Sequence, residues 1–315
     1  MSGVSVVIPA YNQPRMLAEA LRTVQAQTKP PAEIIVIDDC SEEPLEFTIP
    51  SFPDLPVRLI RHQENRGPAA SVVHGIREAQ CELIAMLNHD DTWEPEFLDR
   101  LTNALHTFPE AWFAFCDHGI MGADGRHDER RSCEQSTRYA RAHLTAGILE
   151  GARLYEAALL QKAVAASSFV LARREALDLA LIGAGADMWD YFLAVGACRT
   201  GHPAAYVAER LGWYRVSPTM LSATHADPRK QIEMARPQTA ILVVILRSRL
   251  FRPVHRAALG RLVLVVRHAL AAAVRSHSLR SVGTAIARII AGARDATGLL
   301  RSPANPDARA LWEAE

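Results

Sequence analysis

Short apolar runs alternate with amphipathic stretches over the first hundred or so residues. Val4–Ile8 is Val-rich and reads as a buried strand stopped by Pro9. Arg15–Gln27 has helical spacing, with Leu17, Leu21 and Val24 on one face. Strands are predicted at Glu33–Ile37, Val57–Arg61, Leu83–Leu87 and Phe113–Cys116. Helices are predicted at Pro68–Ala79, with Pro68 in the first turn where its missing N–H costs nothing, and at Pro95–Phe108. The alternation implies a largely parallel sheet covered on both faces, and ligands of such sheets bind beyond the carboxyl ends of the strands. Three polar clusters sit at those ends: Pro9–Asn12, Asp38–Ser41 and Asn88–Asp91.

Beyond this region the pattern loosens. Residues 124–153 are polar and charged and read as a loop followed by a helix. Asp187–Gly196 is predicted helical, Ala204–Val207 a short strand and Leu211–Arg215 another. After Lys230 the chain turns to Ala-, Leu- and Arg-rich helix, expected to break at Pro253 and Gly260. Domains are expected at 1–225 and 226–315.

Net charge is zero by formal count, but Lys230–Arg301 holds 13 Lys/Arg against only Glu233 and Asp295. A basic, apolar helical tail suits an anionic membrane surface; helices packed on the rest of the protein or on a second subunit, arginines outward, suit it too. Nucleic acid is disfavoured, since no recognition motif is present and aromatics are sparse. Five scattered cysteines form no C-x-x-C, which argues against a zinc site or disulfide framework and for a reducing cytosol. No signal peptide is expected, and no run is expected to reach the ~18 apolar residues of a membrane helix.

The strand-end clusters carry the candidate chemistry. Asp39 can accept a hydrogen bond from a base imide or from ribose, and Tyr11 can stack on a base. Glu64-Asn65-Arg66-Gly67-Pro68 opens a helix, whose free N–H groups attract anions; it is equally an ordinary loop-to-helix junction. Asp90 and Asp91 follow a buried strand at a like-charge cost that a hard cation relieves. An aspartate there also serves as a helix N-cap.

Together, VSVVIPAYNQPRMLAEALRTVQAQT, EIIVIDDCSEE, ENRGPAASVVHGIREAQCELIAMLNHDDTWEPEFLDRL, SSFVLARREAL, DMWDYFLAVGACRTG and LGWYRVSPTMLS resemble the inverting glycosyltransferase family 2, over roughly residues 3–222. The resemblance implies an α/β GT-A fold, a Rossmann-like mixed sheet flanked by helices, with the helical C-terminal extension appended. It implies sugar transfer from a nucleotide-sugar donor to a glycan or lipid-linked acceptor in cell-surface polysaccharide synthesis, in the cytoplasm or peripheral at the inner membrane face. Pro9, Ala10, Tyr11 and Asn12 would line the nucleotide pocket. Asp39 would bond the base, favouring UDP or dTDP donors, and Asn65, Gly67, Asn88, His89 and Asp90 would complete the donor site. Asp90 matches the last acid of the family's D-x-D motif, with Asp91 beside it as a second metal candidate for Mn²⁺ or Mg²⁺.

Three positions depart from the family. Asn88 replaces the first acid of D-x-D. Aligning Trp189-Asp190 with the family's acceptor-side helix puts Met188 where the catalytic base stands, and Asp187 one residue, about 100°, away. Asp187 is the first candidate base and Asp190 the second. Ser217 stands in place of the metal-binding His of a Y-R-x-H-P motif. The departures motivate a competing reading, a catalytically silent nucleotide-sugar binder or scaffold. A nucleotidyltransferase lacks its glycine- and arginine-rich triphosphate loop here, and a dinucleotide oxidoreductase lacks G-x-G-x-x-G after the first strand. The sequence leaves the oligomeric state open.

Overall fold

A computed structural model describes residues 3–164, 166–217, 228–275 and 279–301. The chain divides into two compact units, one of residues up to Cys198 with His202–Val216, the other of Arg199–Gly201 and the chain from Ser217 on. The boundary expected at 225/226 lies outside the described residues.

The first unit is built on nine strands: β1 (Val4–Ala10), β2 (Glu33–Asp38), β3 (Val57–Arg61), β4 (Leu83–Met86), β5 (Thr92–Trp93), β6 (Phe113–Met121), β7 (Gly147–Leu149), β8 (Val170–Arg173) and β9 (Ala204–Arg215). They form one sheet in the order β3-β2-β1-β4-β8-β6-β9-β5, with β7 also on β9. The half holding β3, β2, β1 and β4 is parallel, so β1, β2 and β4 end at one edge. β8 runs antiparallel between β4 and β6, and this makes the sheet mixed rather than largely parallel.

Every residue of β1 is buried, as expected of a strand covered on both faces. Pro9 does not stop it. Pairing with β4 ends at Val7, whereas pairing with β2 runs on to Ala10, so Pro9 sits where β1 has outrun one neighbour and its missing N–H costs little.

Helix α1 (Pro14–Gln25) buries Leu17, Ala20, Leu21 and Val24, an i, i+3, i+4, i+7 face. With α3 (Phe97–Thr107) it contributes to a core against β1, β2 and β4. Helix α2 (Pro68–Glu78) packs on β1 and β2 and comes unusually close, because a Cβ on Gly75 would run into Val7 Cγ1.

Two local expectations change. The strands expected at Ala204–Val207 and Leu211–Arg215 are one strand, β9, whose register against β6 shifts at Cys116/Asp117 and Asp117/Gly119. Residues 124–153 are mostly regular: helix α4 (Glu129–Arg138), capped by Asp128 accepting from Arg131 N, then β7 and α5 (Gly151–Tyr155). Arg141 is buried rather than solvated, with Nε donating to Asp117 Oδ1 at 2.6 Å. Beyond α5 come a π turn at Glu156–Leu160, α6 (Leu179–Ala184) and α7 (Trp189–Arg199).

The second unit contains α8 (Pro228–Arg247), α9 (His255–Arg275) and α10 (Leu279–Arg301). Ile232, Ala235, Ala269, Ala272, Ala273 and Ala285 pack between them, and small side chains let the helices approach closely. Gly260 does not break α9, and Pro237 lies inside α8. By length and composition, α9 is apolar enough to cross a membrane, contrary to the reading of the sequence. The arginines at 256, 261, 267 and 275 divide its apolar residues into runs too short to stand out individually.

Candidate active site

The loops leaving β1 and β2 are tied to each other. Asp39 N donates to Ala10 O, Asn12 N donates to Ser41 Oγ, and Glu42 N donates to Asn12 Oδ1. Asn12 and Cys40 both take left-handed backbone conformations, the tight turns this cross-bonding needs. Tyr11 stands exposed on the rim, where a planar ring can stack on it.

Asp39 organises the next wall. Its Oδ1 accepts from His62 Nδ1–H at 2.7 Å and from Arg66 N at 2.9 Å, and its Oδ2 accepts from Gly67 N at 2.7 Å. Gly67 N also meets Asn65 Oδ1 at 3.2 Å, so Asn65 and Gly67 share one pinned turn. Gly67 is the N-cap of α2 with φ +83°, a conformation that favours glycine. Because a carboxylate only accepts, His62 carries a proton on Nδ1, and its Nε2 shares a hydrogen bond of 2.8 Å with His74 Nδ1. The two imidazoles are stacked. Burial, the His62 charge and the nearby Arg66 and Arg77 lower the His74 pKa, against the opposite pull of Glu78.

The loop after β4 completes the edge, and its two aspartates behave differently. Asp91 turns inward: Oδ2 accepts from Ser168 Oγ at 2.6 Å and Asn88 Nδ2 at 3.3 Å, and Oδ1 accepts from Arg215 N at 3.0 Å. Burial, with the Asp90 charge next to it, pushes its carboxyl up to about 8 against the pull of those donors. Its oxygens are therefore spent inside the protein, which speaks against the expected role as a metal ligand. The carboxylate of Asp90 has no hydrogen-bond or ion-pair partner among the described residues, and its backbone oxygen accepts from Arg215 Nε at 2.7 Å. His89 Nδ1 donates to Pro9 O at 3.0 Å, which leaves Nε2 an acceptor. That atom is buried without a hydrogen-bond partner among the described residues.

Arg215 and Ser168 carry this loop without standing out in the sequence. Arg215 is buried; it also donates to Glu19 Oε2 at 2.5 Å and to the carbonyl of Ala123. The Tyr214-Arg215 pair draws attention only through the position of Ser217, which falls in the second unit.

No group of three or more His, Cys, Asp or Glu side chains placed to hold a metal occurs among the described residues. One carboxylate plus substrate phosphate oxygens is an ordinary way to hold Mg²⁺ or Mn²⁺, and Asp90 fits that mode.

The first candidate base, Asp187, lies on a segment that packs over α2. Arg174 donates to the Ala79 and Arg77 carbonyls at the C-terminal end of α2, and Gly183 meets Val73 at its middle. The turn Ala186–Met188 also packs on α2. Asp187 is in this turn, next to Ala186 at φ +47°. Asp190 is in the first turn of α7; burial pushes its carboxyl up to about 6, against the bond from Tyr191 N and the Lys162 charge.

The family model described as glycosyl transferase family 2 matches residues 5–178. The chain belongs to glycosyl transferase family 2. It is 37% identical over 123 residues to the succinoglycan biosynthesis protein ExoO of Rhizobium meliloti, and 27% over 124 residues to TuaG of Bacillus subtilis, named for teichuronic acid biosynthesis. Each match takes in 39% of this chain, and 35% and 49% of those relatives respectively, so the chain matches half of their length or less. Among solved structures, S. aureus TarS 1–349 in complex with UDP-GlcNAc superposes with a TM-score of 0.66 at 16% identity, covering 95% of this chain and 91% of TarS 1–349. The mannosyltransferase PcManGT of Pyrobaculum calidifontis, in complex with GDP-Man and Mn²⁺, gives 0.56 at 17% identity, covering 99% and 84%. This family 2 glycosyltransferase thus has the GT-A fold expected of it, with a C-terminal helical region.

Proposed function

We propose that this glycosyltransferase moves a sugar from a nucleotide-diphospho-sugar, UDP- or dTDP-sugars favoured, to a hydroxyl of a glycan or lipid-linked acceptor, with inversion, in cell-surface polysaccharide synthesis. The observation that carries the reading is the occupancy of Asp39. An ionised carboxylate offers about four acceptor positions, and three are filled by His62, Arg66 N and Gly67 N. The remaining position, on Oδ2, suits the single imide N–H of uracil or thymine. Tyr11 supplies the stacking face, and Pro9, Ala10 and Asn12 form the floor held by the second loop. His89 Nε2, an acceptor without a partner among the described residues, takes a hydroxyl of the donor.

In the transfer step the acceptor oxygen bonds to the anomeric carbon as the carbon–oxygen bond to the diphosphate breaks. The bonding pair leaves with the diphosphate, and the acceptor's proton passes to a carboxylate. We favour Asp190, whose carboxyl burial raises to about 6, for that role, with Asp187 as the alternative. Asp90 is the residue that would hold a divalent cation. Bound there, Mn²⁺ or Mg²⁺ supplies Lewis-acid stabilisation of the departing charge. The free thiols of all five cysteines suit a reducing cytoplasm.

The test is binding of UDP, dTDP, GDP and CDP, with and without Mn²⁺, to wild type and Asp90→Ala. Metal-dependent binding of one diphosphate, lost in the variant, supports the reading; binding indifferent to metal and to Asp90 overturns the site. Asn88, Met188 and Ser217 favour the second reading, a silent nucleotide-sugar binder. Donor binding without transfer or slow donor hydrolysis would establish it.

A further inference from the structure

The second unit presents a surface that its own core does not use. On α9 the inward arc carries Ala258, Ala269, Ala272 and Ala273. The outward arc carries Leu259 (53% exposed), Val263 (60%), Leu264 and Val274 (65%). Spacing by four places Leu259, Val263 and Arg267 in one row of that arc, and Arg256, Gly260, Leu264 and His268 in the next. Helix α9 contains no Asp or Glu. On α10, Ile286, Ile290 (54% exposed) and Arg294 make a similar row. Its one acid, Asp295, is bonded by Arg236 of α8 at 2.6 Å and leaves these arginines unopposed.

Large apolar side chains held in water beside arginines are costly unless something covers them. The charge decides what does. A cationic face with no carboxylate repels a second copy of itself, whereas it complements a surface that is apolar below and anionic above. Arginine stems can then lie along the acyl boundary while their guanidinium groups reach the phosphates. Spanning is the other fate open to a helix of this length, but α9 packs against both α8 and α10 along its inner arc.

We propose that the second unit docks in the plane of an anionic phospholipid surface through the outward arc of α9, with α10 contributing Ile286 and Ile290. The surface would hold the protein where a lipid-linked acceptor is displayed, yet the docking stands apart from the transferase reading and can fail without it.

The experiment is co-sedimentation of the full chain with vesicles of phosphatidylcholine alone or mixed with phosphatidylglycerol, with UDP binding measured on the same samples. We expect strong preference for the anionic vesicles, weakened by raising salt from about 0.1 M to about 0.5 M. Leu259→Asp/Val263→Asp should lower the bound fraction by roughly tenfold or more. Arg256→Gln/Arg267→Gln keeps good helix formers and should remove most of the preference for anionic lipid, and UDP binding should be unchanged in both variants. Equal binding to both vesicle types, or wild-type binding by the Asp variant, overturns the proposal. So does a dimer that ignores vesicles and is broken by the same Asp variant.

Discussion

Ser168 donates its hydroxyl to Oδ2 of Asp91 at 2.6 Å across 77 residues of chain, and the same oxygen atom of Ser168 accepts from Asn88 N at 3.0 Å. One side chain from the turn that leads into β8 thus fixes both ends of the loop that presents Asp90. Ser168→Ala leaves a buried carboxyl short of a donor, and should destabilise the protein by about 1–3 kcal/mol. Thermal melts check this, and metal-dependent nucleotide affinity should fall in parallel because the loop loses its anchor. A variant with an unchanged melting temperature would show that the bond carries no weight.

With Asp190 as the proposed base, transfer should depend on pH. A base must be unprotonated, so the rate should rise as pH passes through about 6 and level off above it. Stability runs the other way. The folded-state pKa lies above the ordinary carboxylate value, so this group's contribution is present below the unfolded value and lost as pH rises through about 6. Asp190→Asn should therefore abolish transfer and raise stability at pH 8 by on the order of 2 kcal/mol. Asp187→Asn should leave the pH profile in place. If Asp187→Asn removes the profile instead, the assignments exchange.

His62 is the strut between Asp39 and His74. His62→Phe keeps the ring and the stacking but not the donor, so Asp39 should turn partly away from the 66–67 turn. We expect UDP affinity to fall about tenfold or more with little change in far-ultraviolet circular dichroism. Unchanged affinity would mean that the two backbone N–H groups alone hold Asp39.

Gly75 lets α2 lie against β1. Gly75→Ala places a methyl group into Val7, and should cost about 1–3 kcal/mol in chemical denaturation although alanine is the better helix former. A stabilised variant would mean that α2 can lift away freely.

Much of this was legible in the sequence because it is local. β3 has the predicted bounds, α2 falls within a residue of them, and the three polar clusters do lie at one edge of the sheet. What escaped depends on contacts between distant segments. The exposed Ala208 and Glu209 in the middle of β9 look like a turn, but they belong to a continuous strand. Arg141 looks solvated until Asp117 is placed against it, 24 residues away. The Asp39–His62–His74 chain joins the ends of two strands to a helix, and no spacing in the sequence announces it. Asp90 and Asp91 were read as a pair, yet neighbours in a turn point in different directions, and only the donors around Asp91 show which one faces inward.

The clamp on the Asp90–Asp91 loop has a consequence for biogenesis. Arg215 supplies the amide that Asp91 accepts and the guanidinium that reaches Asp90 O, Ala123 O and Glu19. A ribosome that has just finished Asp91 has 124 residues still to add to complete Arg215, roughly ten seconds of translation. Through that interval the nascent chain can have its parallel strands but not the Arg215 bonds that close the Asp90–Asp91 loop. A fragment ending at residue 178, where the family match stops, lacks Arg215 and the bonds it makes to this loop. Closure of this loop thus waits on a residue made long after the strands it sits beside, a built-in delay between forming the parallel strands and fixing the Asp90–Asp91 turn.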